Sequence, residues 1–243
     1  MAEKSVVIIG AGLSGLASGI YAQMNGYRSR IFEHHSQAGG VASHWKRKGY
    51  LIDGGIHFVM GYKPGTALYE TYRELGVVPS TRFVEMNTWG RYVNEASAKS
   101  LTITRNLEQF AADLKALSPK DATVVDDLLS GIRAFQGIDM SDAGMSKPPE
   151  LTKPWDQLKM MWQMRRVLKY FGGKYNRPMA EYSQSVSEPW LRDCIENLFL
   201  PEVPVWFVFM TLALFADGQL GLLEGGCQDF VGALEKRYLD LGG

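Results

Sequence analysis

The chain opens with a continuous apolar run, Val6 to Ile9, whose β-branched residues predict a strand buried on both faces of a parallel sheet. Glycines at 10, 12 and 15 follow at once, and Leu13 to Met24 continues as a helix of small residues. Asn25-Gly26 ends that helix, and "YRSRIFE" predicts a second strand with Glu33 at its tip. "SHWKRKGYLIDGGIHFVMG" reads as a hairpin running into Gly54-Gly55. "GYKPGTALYETYRELGVVP" predicts a helix from about Thr66 to Leu75, with Gly76 just past its end.

Between residues 82 and 104, β-branched and aromatic residues alternate around "NTWG" and "NEASAKS", which predicts short antiparallel strands. Asn106 with Gln109 forms a capping box that opens a helix, and Ser118-Pro119 starts another with Pro at its first position. "DMSDAGMSKPPELTKP", residues 139 to 154, is the expected linker or mobile loop, and a helical stretch rich in Trp, Met and Phe follows. In residues 153 to 177, Trp155, Leu158, Met161, Trp162 and Leu168 can share one helical face, with Lys159, Arg166 and Lys169 toward another. Seven basic residues against one acid there fit a helix lying on an anionic membrane surface, or a solvated basic face on a packed helix. The uncharged run "VPVWFVFMTLALFA", residues 203 to 216, is shorter than the ~20 residues that span a bilayer and predicts a buried helix or a tunnel wall.

Composition narrows the classes. A chain of 243 residues allows one or two domains, and 46% apolar with 21% charged residues fits a folded globular protein. With 26 basic and 26 acidic residues the net charge is zero, so no nucleic-acid partner is expected. Cys194 and Cys227 stand in no metal or redox spacing and predict buried free thiols in a reducing compartment. His34, His35, His44 and His57 show no ligand spacing, so no metal site is expected. Glu3 and Lys4 leave no positive n-region for a signal peptide, and the expected location is cytoplasmic with peripheral membrane contact.

The glycines carry the chemistry. Gly10 permits the tight turn out of the strand, Gly12 lets the backbone approach a pyrophosphate, and Gly15 lets the helix lie close to the sheet. The helix N-terminus supplies N–H groups and partial positive charge to phosphates. Glu33 lies 18 residues past Gly15, where a carboxylate accepts hydrogen bonds from the adenosine ribose. Together these predict binding of an ADP moiety.

Gly39-Gly40, six residues after Glu33 and followed by Val41, Ala42 and Ser43, resembles the FAD-dependent oxidoreductase superfamily that includes amine oxidases and phytoene desaturases. There a glycine doublet lies beside the flavin cofactor, and backbone without side chains can pass close to extended FAD. Many relatives carry Arg where this chain has Val41. Near the other end, Gly225-Gly226, Ala233-Leu234 and Gly242-Gly243 follow the order seen in phytoene-desaturase-like proteins. Residues 80 to 190 are weakly diagnostic.

Resemblance to phytoene desaturases and retinol saturases implies an α/β fold. A Rossmann-like FAD-binding domain (GR2-type) would comprise residues 1–80 and a return helix at 223–243, with a mixed strand and helix substrate domain over 81–222. It implies FAD and hydride exchange between the flavin and a hydrophobic, isoprenoid- or carotenoid-like substrate. The implied cofactor contacts are Gly10, Gly12, Leu13, Ser14, Gly15, Glu33, His34, Gly39, Gly40 and Val41, with Gly54, Gly55, Ile56 and His57 near the ring. His57 is alternatively a hydrogen-bonded core residue. No side chain stands out as a catalytic acid, base or nucleophile. A flavin amine oxidase, or a non-catalytic fragment or binding module that keeps the nucleotide motif, remains open. The resemblance also implies a missing C-terminal half as intramolecular partner. Its absence would leave an unpaired sheet edge, an exposed apolar flank, and an ADP site better formed than the flavin site.

Overall fold

The computed structural model describes residues 4–95, 97–138 and 149–243. In chain order the first elements are β1 (Ser5–Ile9), α1 (Leu13–Met24), β2 (Arg28–Phe32), β3 (His44–Arg47), β4 (Tyr50–Asp53), β5 (Val59–Met60), α2 (Ala67–Glu74), α3 (Val77–Ser80) and β6 (Phe83–Glu85). Then come β7 (Thr88–Asn94), β8 (Lys99–Thr104), α4 (Leu107–Leu117), α5 (Ala122–Phe135), α6 (Pro154–Met164), α7 (Met179–Ser183), α8 (Pro189–Glu196) and α9 (Val205–Ala216). β9 (Leu220–Leu223) and α10 (Gly226–Asp240) close the chain. They divide into two compact units, Met1–Glu85 with Leu220–Gly243, and Met86–Gln219.

In the first unit β1 and β2 pair in parallel from Ser5↔Arg28 to Ile9↔Phe32. α1 covers one face of this pair and α10 packs on α1, around Leu16, Ile20, Phe230, Leu234 and Tyr238. A Cβ on Gly19 would meet the Tyr238 ring at 2.7 Å, so the two helices cross closely only because that residue is glycine. The Tyr238 hydroxyl donates to the Ser29 carbonyl at 2.9 Å and ties α10 to β2. β1 departs from the expected two-sided burial. Val7 and Ile9 are 65% and 83% exposed and Phe32 beside them is exposed too, because α1 covers only the opposite face.

β3 and β4 form the expected hairpin, turning at Lys48-Gly49 with both residues at positive φ, the geometry of a two-residue primed turn. The Thr66 side chain accepts from the Tyr69 N–H at 3.1 Å and starts α2. β9 departs from the sequence pattern. Leu220–Leu223 pairs antiparallel with both β5 and β6, where the pattern reads as helix leading into a Gly-Gly. Its partners lie over a hundred residues upstream.

The second unit is an antiparallel β7–β8 hairpin with a helical body. The Asn106 side chain accepts from the Gln109 N–H at 3.0 Å, but the Gln109 amide donates forward to Asp113, so only half the expected capping box forms. α5 packs on α9 through Val125, Leu128, Ile132, Val208, Phe209 and Leu212, all buried. Tyr170, Tyr175 and Tyr182 pack their rings against Phe209. α9 is thus a buried helix, and among the described residues no helix is long and apolar enough to cross a membrane.

The helical face expected over residues 153 to 177 is not continuous. α6 ends at Met164, Val167 turns inward and is fully buried, and Leu168 falls on a separate 3-10 turn. Of the expected linker, residues 139–148 lie outside the described residues.

Candidate functional site

The three motif glycines serve different purposes. Gly10 has φ 95°, the left-handed region that favours glycine, and its N–H donates to the Phe32 carbonyl at 2.7 Å. A Cβ on Gly15 would lie 2.0 Å from the Gly10 oxygen, so helix and turn touch there. Gly12 is required by neither constraint. Its φ is −70°, which any residue adopts, and a Cβ would find only the Gly40 Cα at 3.8 Å. No side chain caps α1, whose first residues Leu13 and Ser14 bring N–H groups without intrahelical partners. Bare backbone before an uncapped helix N-terminus is the room a diphosphate needs.

The doublet lies on this turn. Gly12 and Gly39 form a parallel bridge, the Gly39 N–H donates to the Ala11 carbonyl at 2.8 Å, and a Cβ on Gly40 would come within 3.1 Å of the Gly12 Cα. The second doublet continues the same line. A Cβ on Gly55 would be 2.2 Å from the Val41 carbonyl oxygen, and one on Gly54 would be 2.6 Å from Ser43 Oγ. The structure therefore assembles Gly12, Gly39-Gly40, Val41 and Gly54-Gly55 into one ribbon of nearly bare backbone. Val41 is exposed, Ile56 is half-buried, and His57 is exposed in the bend between β4 and β5 rather than in the core.

Glu33 follows β2. One carboxylate oxygen accepts the Ala11 N–H at 2.6 Å and the other the His35 N–H at 2.8 Å. The N–H groups of His35 and then Ala11 hold this exposed carboxyl below the usual range, so it stays ionised beside the glycine turn. His34 is exposed next to it. The site offers backbone N–H groups and one carboxylate, an arrangement for binding rather than for proton transfer.

Sequence reasoning missed Asp53. Its Oδ1 accepts the Cys227 N–H at 2.8 Å, and a Cβ on Gly226 would collide with the carboxylate at 2.5 Å. Asp53 thus caps α10 and fixes β4 against it. The available signal was an Asp before one glycine doublet and a second doublet opening a helix. Both cysteines are buried and free as expected, and burial pushes their thiols up.

Residues 8–75 match the family described as the NAD(P)-binding Rossmann-like domain. With the geometry above, this makes the first unit a Rossmann-like dinucleotide-binding fold of the FAD/NAD(P) kind used by oxidoreductases. The chain is 22% identical over 197 residues to the inactive all-trans-retinol 13,14-reductase of Danio rerio, covering 79% of this chain and 30% of that protein. It is 34% identical over 57 residues to the all-trans-retinol 13,14-reductase of the same organism, covering 24% and 9%. Among solved structures, an oxidoreductase from Methanosarcina mazei superposes with a TM-score of 0.52 at 23% identity, over 99% of this chain and 50% of that one. The chain spans less than a third of the curated relatives and half of that structure.

Proposed function

We propose that the chain is part of an FAD-dependent oxidoreductase acting on a hydrophobic, isoprenoid-like substrate by hydride exchange with the flavin. The observation that carries this reading is the ribbon from Gly12 through Gly39-Gly40 to Gly54-Gly55. It prolongs the dinucleotide turn with bare backbone, as an extended FAD requires and a nicotinamide cofactor does not. In this reading α1 faces the diphosphate, Glu33 takes the ribose hydroxyls, and the second doublet lies nearest the ring. Bound flavin would supply the site that accepts or gives the hydride. The chain's residues would place it and exclude water. All-trans-retinol, a hydrophobic isoprenoid alcohol, is named for both curated relatives, of which the one matched over most of this chain is named inactive; it supports that class of substrate.

The same reading assigns a role to the exposed Val7, Ile9 and Phe32, which we propose are covered by further chain in a longer protein, as the relatives' greater length suggests. We also propose a peripheral position at a membrane surface, through residues of the second unit. The test is the flavin content and redox titration of the purified longer protein. Stoichiometric FAD that a hydrophobic substrate reduces is expected. Tight NAD(P) with no flavin uptake would overturn the cofactor assignment, and bound flavin that no substrate reduces would overturn the enzymatic one.

A further inference from the structure

Within the second unit, α6 presents large apolar side chains to water. Trp155 and Trp162 are 74% and 64% exposed, and Leu158 and Met161 are exposed with them. Positions 155, 158 and 162 share a face through their three- and four-residue spacing. Leu151 before the helix and Leu168 after it are exposed as well, so the apolar surface runs past both ends of α6. A patch of this kind is an interaction site by default, since leaving it in water is costly.

The charges beside it indicate the partner. The Arg165 guanidinium lies 4.0 Å from the Trp162 ring centroid and donates to the Trp162 carbonyl at 2.7 Å. Lys169 sits over the Tyr170 ring at 4.7 Å, and Arg166 donates to the Arg133 carbonyl at 3.4 Å. Among the described residues none of these three cations is paired with a carboxylate. Other cations of the same unit are paired, Lys115 with Asp126, Arg133 with Glu108 and Lys174 with Asp127. Three cations without a carboxylate partner thus lie beside the exposed aromatics.

A short helix with tryptophans on one side and unpaired Arg and Lys at its end matches the interfacial zone of a bilayer. Indole rings settle there at headgroup level, and long basic side chains reach phosphates. We propose that α6, together with the turn through Lys169, docks in the plane of an anionic lipid surface. Trp155, Leu158, Met161, Trp162 and Leu168 enter the headgroup–acyl boundary, and Arg165, Arg166 and Lys169 meet lipid phosphates. The proposal does not depend on the identity of the cofactor.

The test is sedimentation of the purified protein with vesicles of phosphatidylcholine alone and with phosphatidylserine added. Binding should be stronger to the anionic vesicles and weaken with salt, because screened charge supplies part of the attraction. The change R165Q, R166Q and K169Q should reduce binding roughly fivefold for each charge removed. W155S with W162S should reduce it by about tenfold or more on both vesicle types, because buried apolar area is lost. Quenching of tryptophan fluorescence by brominated lipid should fall in that double variant, which reports insertion directly, and thermal melts would confirm that exposed positions leave the fold intact. Equal partitioning onto neutral and anionic vesicles would overturn the proposal. So would absence of binding, unchanged quenching in the double variant, or self-association abolished by the same changes without any vesicle binding. Flavin absorbance in the same samples reports the cofactor reading separately.

Discussion

A Cβ at Gly131 on α5 would lie 2.1 Å from the Phe209 ring, whereas a Cβ at Gly12 would find its nearest neighbour at 3.8 Å. The first glycine exists so that two helices can touch, and the second borders space that the chain does not fill. The contrast extends to the apolar residues. Val125, Leu128, Ile132 and Phe209 are fully buried in the helical unit, while Val7, Ile9 and Phe32 of the nucleotide unit stand in water. The helical unit closes its α5–α9 core internally, although α6 leaves its own apolar side chains in water. The other keeps both a backbone cradle and an apolar sheet face open to solvent.

The largest expected effect tests the closed core. Phe209 is wholly buried among three tyrosine rings, so Phe209→Ala should remove about 3–5 kcal/mol of stability in urea unfolding. A loss below about 1 kcal/mol would show that the helical unit closes over the gap and is not the tightly packed half.

The glycines of the first unit should separate by role. Gly15→Ala places a methyl 2.0 Å from the Gly10 oxygen and should cost about 1–3 kcal/mol in stability. Gly12→Ala meets nothing closer than 3.8 Å at an ordinary φ and should change stability by under about 1 kcal/mol. Its affinity for ADP-containing ligands, measured by calorimetry, should nevertheless fall about tenfold or more, since the methyl enters the diphosphate's approach. ADP binding unchanged in Gly12→Ala would mean that the open space is not a phosphate site.

What the sequence made legible was what short spacing determines. Strand, glycine turn, helix and Glu33-tipped strand follow one another within about thirty residues, and the observed bounds of α1 agree with the pattern. The Pro-Gly entry likewise placed the start of α2, and the Asn106 cap that of α4. Contacts across the chain were not legible. β9 is a strand because β5 and β6 flank it, and Asp53 caps α10 from 174 residues away. The two-sided burial expected of β1 failed because periodicity reports a strand's character and not how many layers cover it. At the candidate site the glycine positions were readable. Their alignment into one ribbon needed the turn at Gly39, which lays the doublet on Gly12.

The smallest expected effect is a difference in acid sensitivity between the units. Glu33 is exposed and held below the usual carboxylate range by the His35 and Ala11 N–H groups. Asp121 in the helical unit is buried, which would raise it, but the Ser118 hydroxyl and the Ser187 and Glu188 N–H groups hold it at about 2. A depressed folded-state pKa stabilises above the ordinary carboxylate range near pH ~4 and stops doing so as pH falls through the folded value. Both carboxylates are therefore fully effective at pH 7. Water screens the exposed bonds of Glu33, so its protonation should cost less stability than protonation of the buried Asp121. ADP affinity should be flat from neutrality down through the ordinary carboxylate range and decline as pH falls through the lowered Glu33 value, while near-ultraviolet dichroism from the aromatic cluster follows the protonation of Asp121 instead. Glu33→Gln should weaken ADP binding about tenfold at pH 7 and remove most of the acid limb, because the neutral amide has no charge to lose. Loss of both signals at one pH, with an unchanged profile in Glu33→Gln, would show that the two halves answer to acid as a single body and that Glu33 has no special part in the turn.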